Sequence, residues 1–269
     1  MTIGTLLPLH VNAQNRGVGP RGGLRGGMGF SVRLYSDGKG HVFDKMWEPL
    51  LKFLSGNNKF DTCSVVGNGG ILINSNCGKQ IDSSQFVIRC NLAPLDRELE
   101  KDVGKKTSLV TANPSIFVLN RRRQFVESLR RFKDSMLLMP TFSYAWNTHL
   151  CQRAFQAIKH LSSPIRPVSF NPRYLRSLWV YWRSLGLKEA RLSTGFMMVN
   201  LALELCNSVD LYGFWPFSVH PQDCHHLTNH YYDNMPVRKR LHAMPAEFKR
   251  LLKLHSLGIL RIHLGDCGQ

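Results

Sequence analysis

The chain has 269 residues, 43% of them hydrophobic and 10% aromatic, which excludes a freely disordered protein and allows a sizeable core. Its 35 Lys and Arg against 18 Asp and Glu give a formal net charge of +17, which excludes an acidic protein and predicts anionic partners. Charge alone leaves open whether these are nucleic acid, anionic membrane, or a small substrate with phosphate or carboxylate groups.

The N-terminal part of the chain has a composition of its own. Residues 14–40 are rich in Gly and Arg and contain a single acidic residue, so we expect residues 1–45 to form a disordered leader. RNA binding is the alternative for its Gly/Arg texture. No stretch reaches the roughly 18–20 apolar residues of a membrane span, so the sequence predicts no membrane anchor. Residues 46–269 are expected to form the folded domain.

From Asp61 onward, short apolar runs alternate with amphipathic helical patterns, which is typical of the α/β class. The runs are short and uniformly apolar, which favours a sheet covered on both faces. Seven strands are predicted, at Cys63–Val66, Phe86–Arg89, Ser108–Thr111, Met136–Met139, Pro167–Phe170, Val209–Tyr212 and Ile259–Leu264.

Two helices are well marked. Asn171 is a predicted N-cap, Pro172 takes the first helical position, and the helix is expected to stop before Gly186. Its core-facing stripe is predicted to be Leu175, Leu178, Trp179, Trp182 and Leu185. The stripe of a second helix is Phe125, Leu129 and Phe132. The other face of that helix carries Arg121, Arg122, Arg123, Arg130 and Arg131, which we interpret as solvated, with contact to an acceptor or a membrane surface as the alternative.

Two segments have features of anion or nucleotide binding. A predicted strand runs into the turn Gly67-Asn68-Gly69-Gly70, an arrangement that brings backbone N–H groups close to a nucleotide or simply forms a tight turn. Ser193 or Thr194 is expected to cap a helix through the apolar run Met197–Leu205. The N-terminus of such a helix binds anions, and a plain N-cap is an equally good interpretation.

A histidine-rich stretch lies between residues 220 and 263. Its density suggests catalysis or a metal. A zinc site would recruit Cys224, His226 and His230, but their spacing is unusual for zinc, so we disfavour it. His255 and His263 are interpreted as structural.

The segment from His242 to Glu247 is the most informative part of that stretch. Pro245 is predicted at the first position of a helix, with Glu247 in its first turn and His242 on the preceding loop. The chain contains no Asp-x-Asp, the carboxylate pair with which many nucleotide-sugar transferases hold Mg²⁺ or Mn²⁺. We therefore expect no metal and no cofactor.

Taken in order, these segments resemble the animal sialyltransferases over residues 46–267, specifically the α-2,8-sialyltransferases. Cys63–Leu95 resembles the large sialylmotif and Arg191–Phe217 the small one. His230-Tyr-Tyr-Asp233 matches the third motif, and His242 with Glu247 matches the very small motif. Within the family, the sequences GFWPF, HYYDN and HAMP are most similar to the branch that makes disialylated gangliosides and short oligosialyl chains.

This resemblance implies a single Rossmann-like nucleotide-binding domain, a variant of the GT-A-like glycosyltransferases, with a central, mostly parallel sheet flanked by helices. It implies a metal-independent, inverting transfer from CMP-sialic acid to the 8-hydroxyl of a sialic acid on a glycolipid or glycoprotein in the Golgi lumen. His242 would be the general base, and His230 would stabilise the departing phosphate. The residues implied to bind CMP-sialic acid are Asn68, Asn91, Ser193, Thr194, Gly195, Trp215, Asn229 and His230.

The seven cysteines contain no CxxC pair, which disfavours zinc ribbons and thioredoxin-like sites. The resemblance pairs Cys63 with Cys206 and Cys77 with Cys267. Cys90 is expected to be a buried free thiol. A bond between Cys151 and Cys224 is left open.

Two other interpretations remain as alternatives to sialyl transfer. The first is an inactive or mislocalised family member, since a reducing cytosol would prevent the disulfides from forming. The second is a basic module that binds RNA or anionic membrane through the leader and the arginine helix; on the preferred interpretation no nucleic acid is a partner. The sequence leaves open the oligomeric state, the acceptor and the product length. Cations that precede the small motif suggest an acceptor surface, at Arg166, Arg173, Arg176, Arg183, Lys188 and Arg191.

Overall fold

A seven-stranded sheet runs through the computed structural model, which describes residues 59–117, 122–141, 143, 145–188, 191–233, 235 and 244–268. The strand order is β5-β4-β3-β2-β1-β6-β7, and every neighbouring pair is parallel. The strands are β1 (Phe60–Val66), β2 (Phe86–Arg89), β3 (Leu109–Thr111), β4 (Met136–Met139), β5 (Arg166–Ser169), β6 (Cys206–Tyr212) and β7 (Arg261–His263).

All seven predicted strands are confirmed, with differences only at their ends. The largest differences are at the starts of β1 and β6, which each begin three residues earlier than predicted. The residues added to these two strands include polar ones such as Asp61 and Asn207, so the apolar pattern misses them. They are strand because β1 and β6 pair with each other there, with Phe60 opposite Cys206.

Helices connect the strands, as the α/β class requires. The α-helices are α1 (Gly78–Ser83), α2 (Glu100–Val103), α3 (Arg122–Arg131), α4 (Ala145–His160), α5 (Pro172–Ser184), α6 (Thr194–Leu205) and α7 (Met244–Ser256). Short 3₁₀ helices cover Gly70–Leu72, Arg97–Leu99 and Pro114–Phe117.

Alternate residues of the strands feed two different cores, because successive side chains of a strand point to opposite faces. One face packs against α5, α6 and α7 and carries Val65, Ile88, Leu109, Leu138, Val168 and Leu211. The other face packs against α1 to α4 and carries Val66, Val87, Val110, Leu137 and Tyr212. Both faces of the sheet are therefore covered, which explains the uniformly apolar strands.

The predicted helix starts are largely confirmed. The Asn171 side chain accepts a hydrogen bond from the Arg173 N–H at 2.9 Å, and α5 ends at Ser184. Leu185 was expected in the core stripe but is exposed, because it lies just past the end of the helix. The last helix begins at Met244 rather than Pro245 and keeps Glu247 in its first turn. On α3, Phe125 and Leu129 are buried, and Arg130 and Arg131 are exposed; Arg121 lies outside the described residues.

Two disulfides join distant parts of the chain. Cys63 in β1 is bonded to Cys206 at the start of β6, and Cys77 before α1 is bonded to Cys267 near the C-terminus. Both are the pairings that the resemblance implies. The sequence left open a bond between Cys151 and Cys224. In the structure both cysteines are free: Cys151 is buried, whereas Cys224 is exposed. Burial raises the pKa of the free Cys90 thiol to about 12 and that of Cys151 to about 11, so both are inert thiols.

Within the described ranges, no helix combines the length and the apolar character that crossing a membrane requires. The expected leader, residues 1–45, lies outside the described residues.

Candidate active site

The strand order marks one place in the sheet where a ligand is expected. β2 to β5 lie on one side of β1, and β6 and β7 lie on the other. In open α/β sheets, ligands bind in the crevice outside the carboxyl ends of the strands where the order reverses in this way. Here the order reverses between β1 and β6, so a ligand is expected beside the residues that follow these strands, which begin at Gly67 and Gly213.

The glycines after β1 allow the backbones of these two loops to touch. The Gly67 N–H donates to the Tyr212 carbonyl at 2.7 Å, and the Gly69 N–H donates to the Gly213 carbonyl at 3.1 Å. A Cβ atom at Gly67 or Gly69 would lie 2.7 Å from the Gly213 oxygen, so neither position accepts a side chain without a shift. Of the two interpretations of this turn, close packing of the chain accounts for Gly67 and Gly69.

Asn68 and Asn91 follow neighbouring strands and lie close together. The Asn68 side chain donates from Nδ2 to the Cys90 carbonyl at 3.2 Å, next to Asn91. Asn91 has φ of 61° and Leu92 has φ of 49°, so the chain makes a left-handed turn directly after β2. The turn is held by the Thr111 hydroxyl and carbonyl, which accept from the N–H groups of Asn91 and Leu92. Such strained turns are concentrated at functional sites.

The N-terminus of α6 lies at the same edge of the sheet. Ser193 is its N-cap, and the Ser193 hydroxyl accepts from the Phe196 N–H at 3.1 Å. Thr194 donates from its hydroxyl to the Asn113 side-chain oxygen at 3.3 Å, and Asn113 follows β3. The positive end of the α6 dipole is thereby fixed beside the carboxyl ends of the strands, where it favours an anion.

Gly195 and Ser193 connect α6 to two further segments. A Cβ atom at Gly195 would lie 3.0 Å from the Phe214 ring, so the first turn of α6 packs closely on the loop after β6. The Ser193 backbone N–H donates to Glu247 Oε1 at 2.7 Å, which ties the start of α6 to the first turn of α7. The Glu247 carboxyl is almost completely buried.

Trp215 is held in an aromatic cluster. Its indole N–H donates to the Val219 carbonyl at 2.8 Å, and its ring meets Phe217 and Phe248 edge to face at centroid distances of 4.8 and 5.3 Å. Phe248 belongs to α7. The half-buried Trp215 ring therefore presents a fixed aromatic surface between the loop after β6 and α7.

The segment Thr228–Asp233 docks onto the loop after β1. The Tyr231 N–H donates to the Asn68 carbonyl at 2.9 Å, and the buried Tyr231 hydroxyl donates to the Pro94 carbonyl at 2.8 Å. Burial raises the pKa of Tyr231, so this hydroxyl stays protonated. A Cβ atom at Gly70 would clash with the Thr228 carbonyl. The middle of the segment is therefore an anchor, and its neighbours His230 and Tyr232 remain partly exposed.

His230 is oriented by a carboxylate. Its Nδ1 lies 2.6 Å from Asp233 Oδ2, and its ring stacks on Tyr232 at 5.0 Å with an interplanar angle of 4°. Partial burial acts to raise the pKa of Asp233, but hydrogen bonds from His230 and the Met235 N–H outweigh it, and the pKa is lowered. An ionised carboxylate only accepts, so Nδ1 carries the proton. His230 Nε2 lies 3.1 Å from the Asn229 side-chain amide.

The structure thus brings the predicted site residues into one ring of mutually contacting loops. The members are Asn68, Asn91, Ser193, Thr194, Gly195, Trp215, Asn229 and His230. His242, the expected general base, lies outside the described residues. The disfavoured zinc set of Cys224, His226 and His230 does not form among the described residues; the histidines and carboxylate that come together are His220, Asp223 and His225.

Three side-chain contacts of the candidate site were not predicted from the sequence. Asn113 contacts Thr194, Asp233 orients His230, and Glu247 accepts from Ser193. A signal for Asn113 was present, since it follows β3 as Asn68 and Asn91 follow β1 and β2. The other two contacts depend on how the loops pack, which no local pattern encodes.

Comparison with known proteins agrees with this architecture. The crystal structure of a mammalian sialyltransferase is 25% identical and superposes with a TM-score of 0.53, covering 81% of this chain and 79% of that one. The structure of a mammalian sialyltransferase in complex with Gal-beta-1-3GalNAc-ortho-nitrophenol gives a TM-score of 0.54 at 25% identity, covering 82% of this chain and 79% of that one. The fold is therefore that of a GT-A-like glycosyltransferase.

The sequence comparisons give the family. The model of glycosyltransferase family 29 (sialyltransferase) matches residues 31–259, so the chain belongs to that family. Alpha-2,8-sialyltransferase 8F of Mus musculus is 46% identical over 214 residues, 77% of this chain and 54% of that protein. Alpha-2,8-sialyltransferase 8E of Homo sapiens is 44% identical over 216 residues, 78% of this chain and 57% of that protein. The chain thus spans little more than half the length of these relatives.

Proposed function

We propose that this chain transfers sialic acid from CMP-sialic acid to the 8-hydroxyl of a sialic acid on a glycolipid or glycoprotein. Its similarity to proteins named alpha-2,8-sialyltransferases supports the linkage. The single observation that carries the proposal is the ring of loops at the reversal of strand order, since it joins an anion-binding helix end to the oriented imidazole of His230. These are the groups that a nucleotide phosphate requires.

The donor nucleotide would lie across the carboxyl ends of β1 and β2. Asn68 and Asn91 follow these strands and offer amide groups to cytidine and ribose. The N-terminus of α6, at Ser193, Thr194 and Gly195, offers a positive dipole to the phosphate or to the sialic acid carboxylate. The Trp215 ring offers a flat surface for packing near the base.

The reaction is an inverting displacement. The acceptor O8 attacks the anomeric carbon of the donor, the bond from that carbon to the phosphate oxygen breaks, and CMP departs. His242 takes the proton from O8 as general base, a role typically worth about 10²–10⁴-fold in rate. His230, held by Asp233, meets the negative charge that develops on the departing phosphate, with Asn229 beside its ring.

Metal independence fits the donor set of these loops. They offer amides, hydroxyls, an imidazole and a helix end, and Asp233 is already engaged by His230. Divalent cations that bind phosphates prefer carboxylate oxygens and water. Charge stabilisation would therefore come from the protein's own positive groups.

The cellular setting follows from the same proposal. We place the enzyme in the Golgi lumen because of its resemblance to the animal sialyltransferases, and its two disulfides suit an oxidising compartment of this kind. Residues 46–269 would be the catalytic domain and residues 1–45 a leader. The net charge of +17 would favour acceptors and donors that both carry carboxylates.

Incubation of the purified chain with CMP-sialic acid and a panel of sialylated glycolipids and glycoproteins tests the proposal. The His242→Ala variant tests the proposed general base, and His160→Ala, which changes an exposed histidine at the end of α4, is the matched control. We expect an α-2,8-linked product from the wild type and the control, and none above background from His242→Ala. Equal activity in the wild type and His242→Ala overturns the mechanism, and a folded wild type that transfers to no acceptor overturns the function.

A further inference from the structure

A short hairpin separates Trp215 from His230 and carries its own cluster of side chains. Residues 218–227, here called the histidine hairpin, are closed by the antiparallel bridge between Val219 and His226. The Leu227 N–H donates to the Ser218 carbonyl, and the His220 N–H donates to the His225 carbonyl, each at 2.9 Å. Cys224 has φ of 59°, which turns the chain at the tip.

Three side chains converge at this tip. His220 Nδ1 lies 2.8 Å from Asp223 Oδ1, and His225 Nδ1 lies 2.6 Å from the same oxygen. The two imidazole rings stack at a centroid distance of 4.9 Å with an interplanar angle of 15°. All three ligand atoms lie within 4.8 Å of one another. The backbone hydrogen bonds of the hairpin fix the positions of the residues that carry these side chains. The side chains of histidine and aspartate are short, so little further freedom separates them.

In this cluster, His220 Nδ1 faces an acceptor oxygen at short distance. The Gln222 N–H donates to His220 Nδ1 at 3.4 Å, which treats that nitrogen as an acceptor. The same nitrogen is 2.8 Å from a carboxylate oxygen, which is also an acceptor. Two acceptors this close need a proton or a cation between them.

We propose that His220 Nδ1, Asp223 Oδ1 and His225 Nδ1 form a binding site for a divalent transition metal of the zinc type, separate from the sialyl-transfer chemistry. Two imidazoles and one carboxylate suit Zn²⁺, whereas Ca²⁺ and Mg²⁺ prefer all-oxygen sites. Tetrahedral bonds of about 2.0–2.2 Å place ligand atoms roughly 3.3 Å apart, so the nitrogen–oxygen contacts of 2.8 and 2.6 Å open by about 0.5 and 0.7 Å to admit the ion. Both imidazoles bind the ion through an unprotonated Nδ1, with the ring proton on Nε2, and water completes the coordination.

The site would act as a brace for the active-site loops. The His220 side chain is only 13% exposed, whereas Asp223 and His225 are 61% and 53% exposed, so the ion has an open approach from solvent. The residue before His220 is Val219, whose carbonyl accepts from the Trp215 indole at 2.8 Å. The hairpin then continues towards His230. A metal ion at the tip would therefore stiffen the segment that links Trp215 to His230.

Zinc titration of the full, disulfide-bonded chain after chelation tests this inference. Calorimetry should give one Zn²⁺ per chain, and Co²⁺ should give the intense visible bands of a tetrahedral site. His225→Ala and Asp223→Asn should each weaken binding by about tenfold or more, whereas His226→Ala, which changes the neighbouring exposed histidine, should not. Zn²⁺ should also raise the melting temperature of the wild type and of His226→Ala only.

Three results overturn the proposal. They are the absence of saturable Zn²⁺ binding, equal affinity in His225→Ala and His226→Ala, and an oxygen-only octahedral Co²⁺ spectrum. Both cluster variants change exposed side chains, and unfolding curves recorded in chelator check that they fold; if one fails, the other decides. These readouts involve neither donor nor acceptor, so they are independent of the outcome of the transfer assay.

Discussion

The Ser193 backbone N–H and the Glu247 carboxylate, 54 residues apart in sequence, form a buried hydrogen bond of 2.7 Å. Ser193 caps α6, and Glu247 lies in the first turn of α7. The bond therefore joins the amino ends of two helices, and a positive dipole end faces the carboxylate in both. His242 precedes α7 by only two residues in the sequence, so this contact ties the helix that follows the proposed general base to the proposed donor site.

Glu247→Ala should destabilise the protein and weaken nucleotide binding together. Removal of the carboxylate leaves the Ser193 N–H without this acceptor, which typically costs about 1–3 kcal/mol. Glu247→Gln keeps an acceptor oxygen and should recover part of the loss. Chemical denaturation measures the free energy of unfolding, and calorimetry measures CMP affinity. Glu98→Ala, at an exposed glutamate, is the control; a Glu247→Ala protein as stable as this control would contradict the assigned role.

Asp233 is a positioning residue for His230, and its removal should lower kcat more than it changes KM for CMP-sialic acid. Asp233→Asn offers an amide in place of the carboxylate that accepts from Nδ1 at 2.6 Å, so the imidazole loses its fixed orientation and tautomer. We expect kcat to fall by roughly tenfold or more, up to the 10²–10⁴-fold that a positioned acid or base typically contributes.

Two further variants separate positioning from stability at this site. Asp233→Glu retains the charge and should recover part of the rate. Asp134→Asn, at an exposed aspartate in the turn after α3, should behave as the wild type. If Asp233→Asn raised KM with kcat unchanged, Asp233 would act in binding and not through His230.

Much of the fold could be predicted because its strands are buried on both faces. A strand such as Val65–Val66 contributes one residue to each core, so it is apolar throughout and stands out in the sequence. The ends of β1 and β6 could not be predicted, because Asp61 and Asn207 become strand only through pairing between segments far apart in sequence. Local patterns also placed the N-cap of α5 at Asn171 and narrowed that of α6 to Ser193 or Thr194, of which Ser193 is the cap.

The site could be predicted only as far as its residues stand in recognisable motifs. Asn68, Ser193 and His230 are of this kind. The contacts that orient them are between segments: Thr194 meets Asn113 across 81 residues, and Tyr231 meets Pro94 across 137. The cluster of His220, Asp223 and His225 was missed for another reason, since it needs the left-handed turn at Cys224, which the sequence does not signal.

Because of Asp210, the free energy of unfolding should decrease as the pH falls into the acid range. Its carboxylate accepts from Arg261 Nε at 2.8 Å and lies 2.7 Å from His263 Nε2, which fastens β7 to β6. Burial acts to raise the pKa of Asp210, but the bonds from His263 and Arg261 outweigh it, and the pKa is lowered. A lowered pKa stabilises the fold above the unfolded value of about 3.9, and this stabilisation is lost as the pH falls through the folded pKa.

Asp210→Asn should therefore lower the free energy of unfolding at pH 7 by about 1–3 kcal/mol. The difference from the wild type should narrow as the pH falls below about 4, because the unfolded wild-type carboxyl takes up a proton there and the folded one does so only at lower pH. Denaturation at a series of pH values measures both effects. Asp96→Asn breaks the exposed pair with Arg131 and should cost at most about 1 kcal/mol. A gap between Asp210→Asn and the wild type that stays constant down to pH 3 would count against the linkage.

Loss of the Cys63–Cys206 bond should be the most damaging of these changes. The bond closes a loop of 143 residues, and in the chain-entropy model such a loop is worth roughly 4–5 kcal/mol. It also fastens the start of β6 to β1, the two strands whose carboxyl ends lead into the glycine contacts that shape the site. We expect the paired Ser variant of Cys63 and Cys206 to unfold at markedly lower denaturant concentration and to lose CMP binding at 37 °C, the temperature at which removal of native disulfides often abolishes folding. Cys224→Ser, which changes an exposed free thiol, is the control and should match the wild type. Equal midpoints for the paired variant and this control would show that packing between β1 and β6 suffices without the bond.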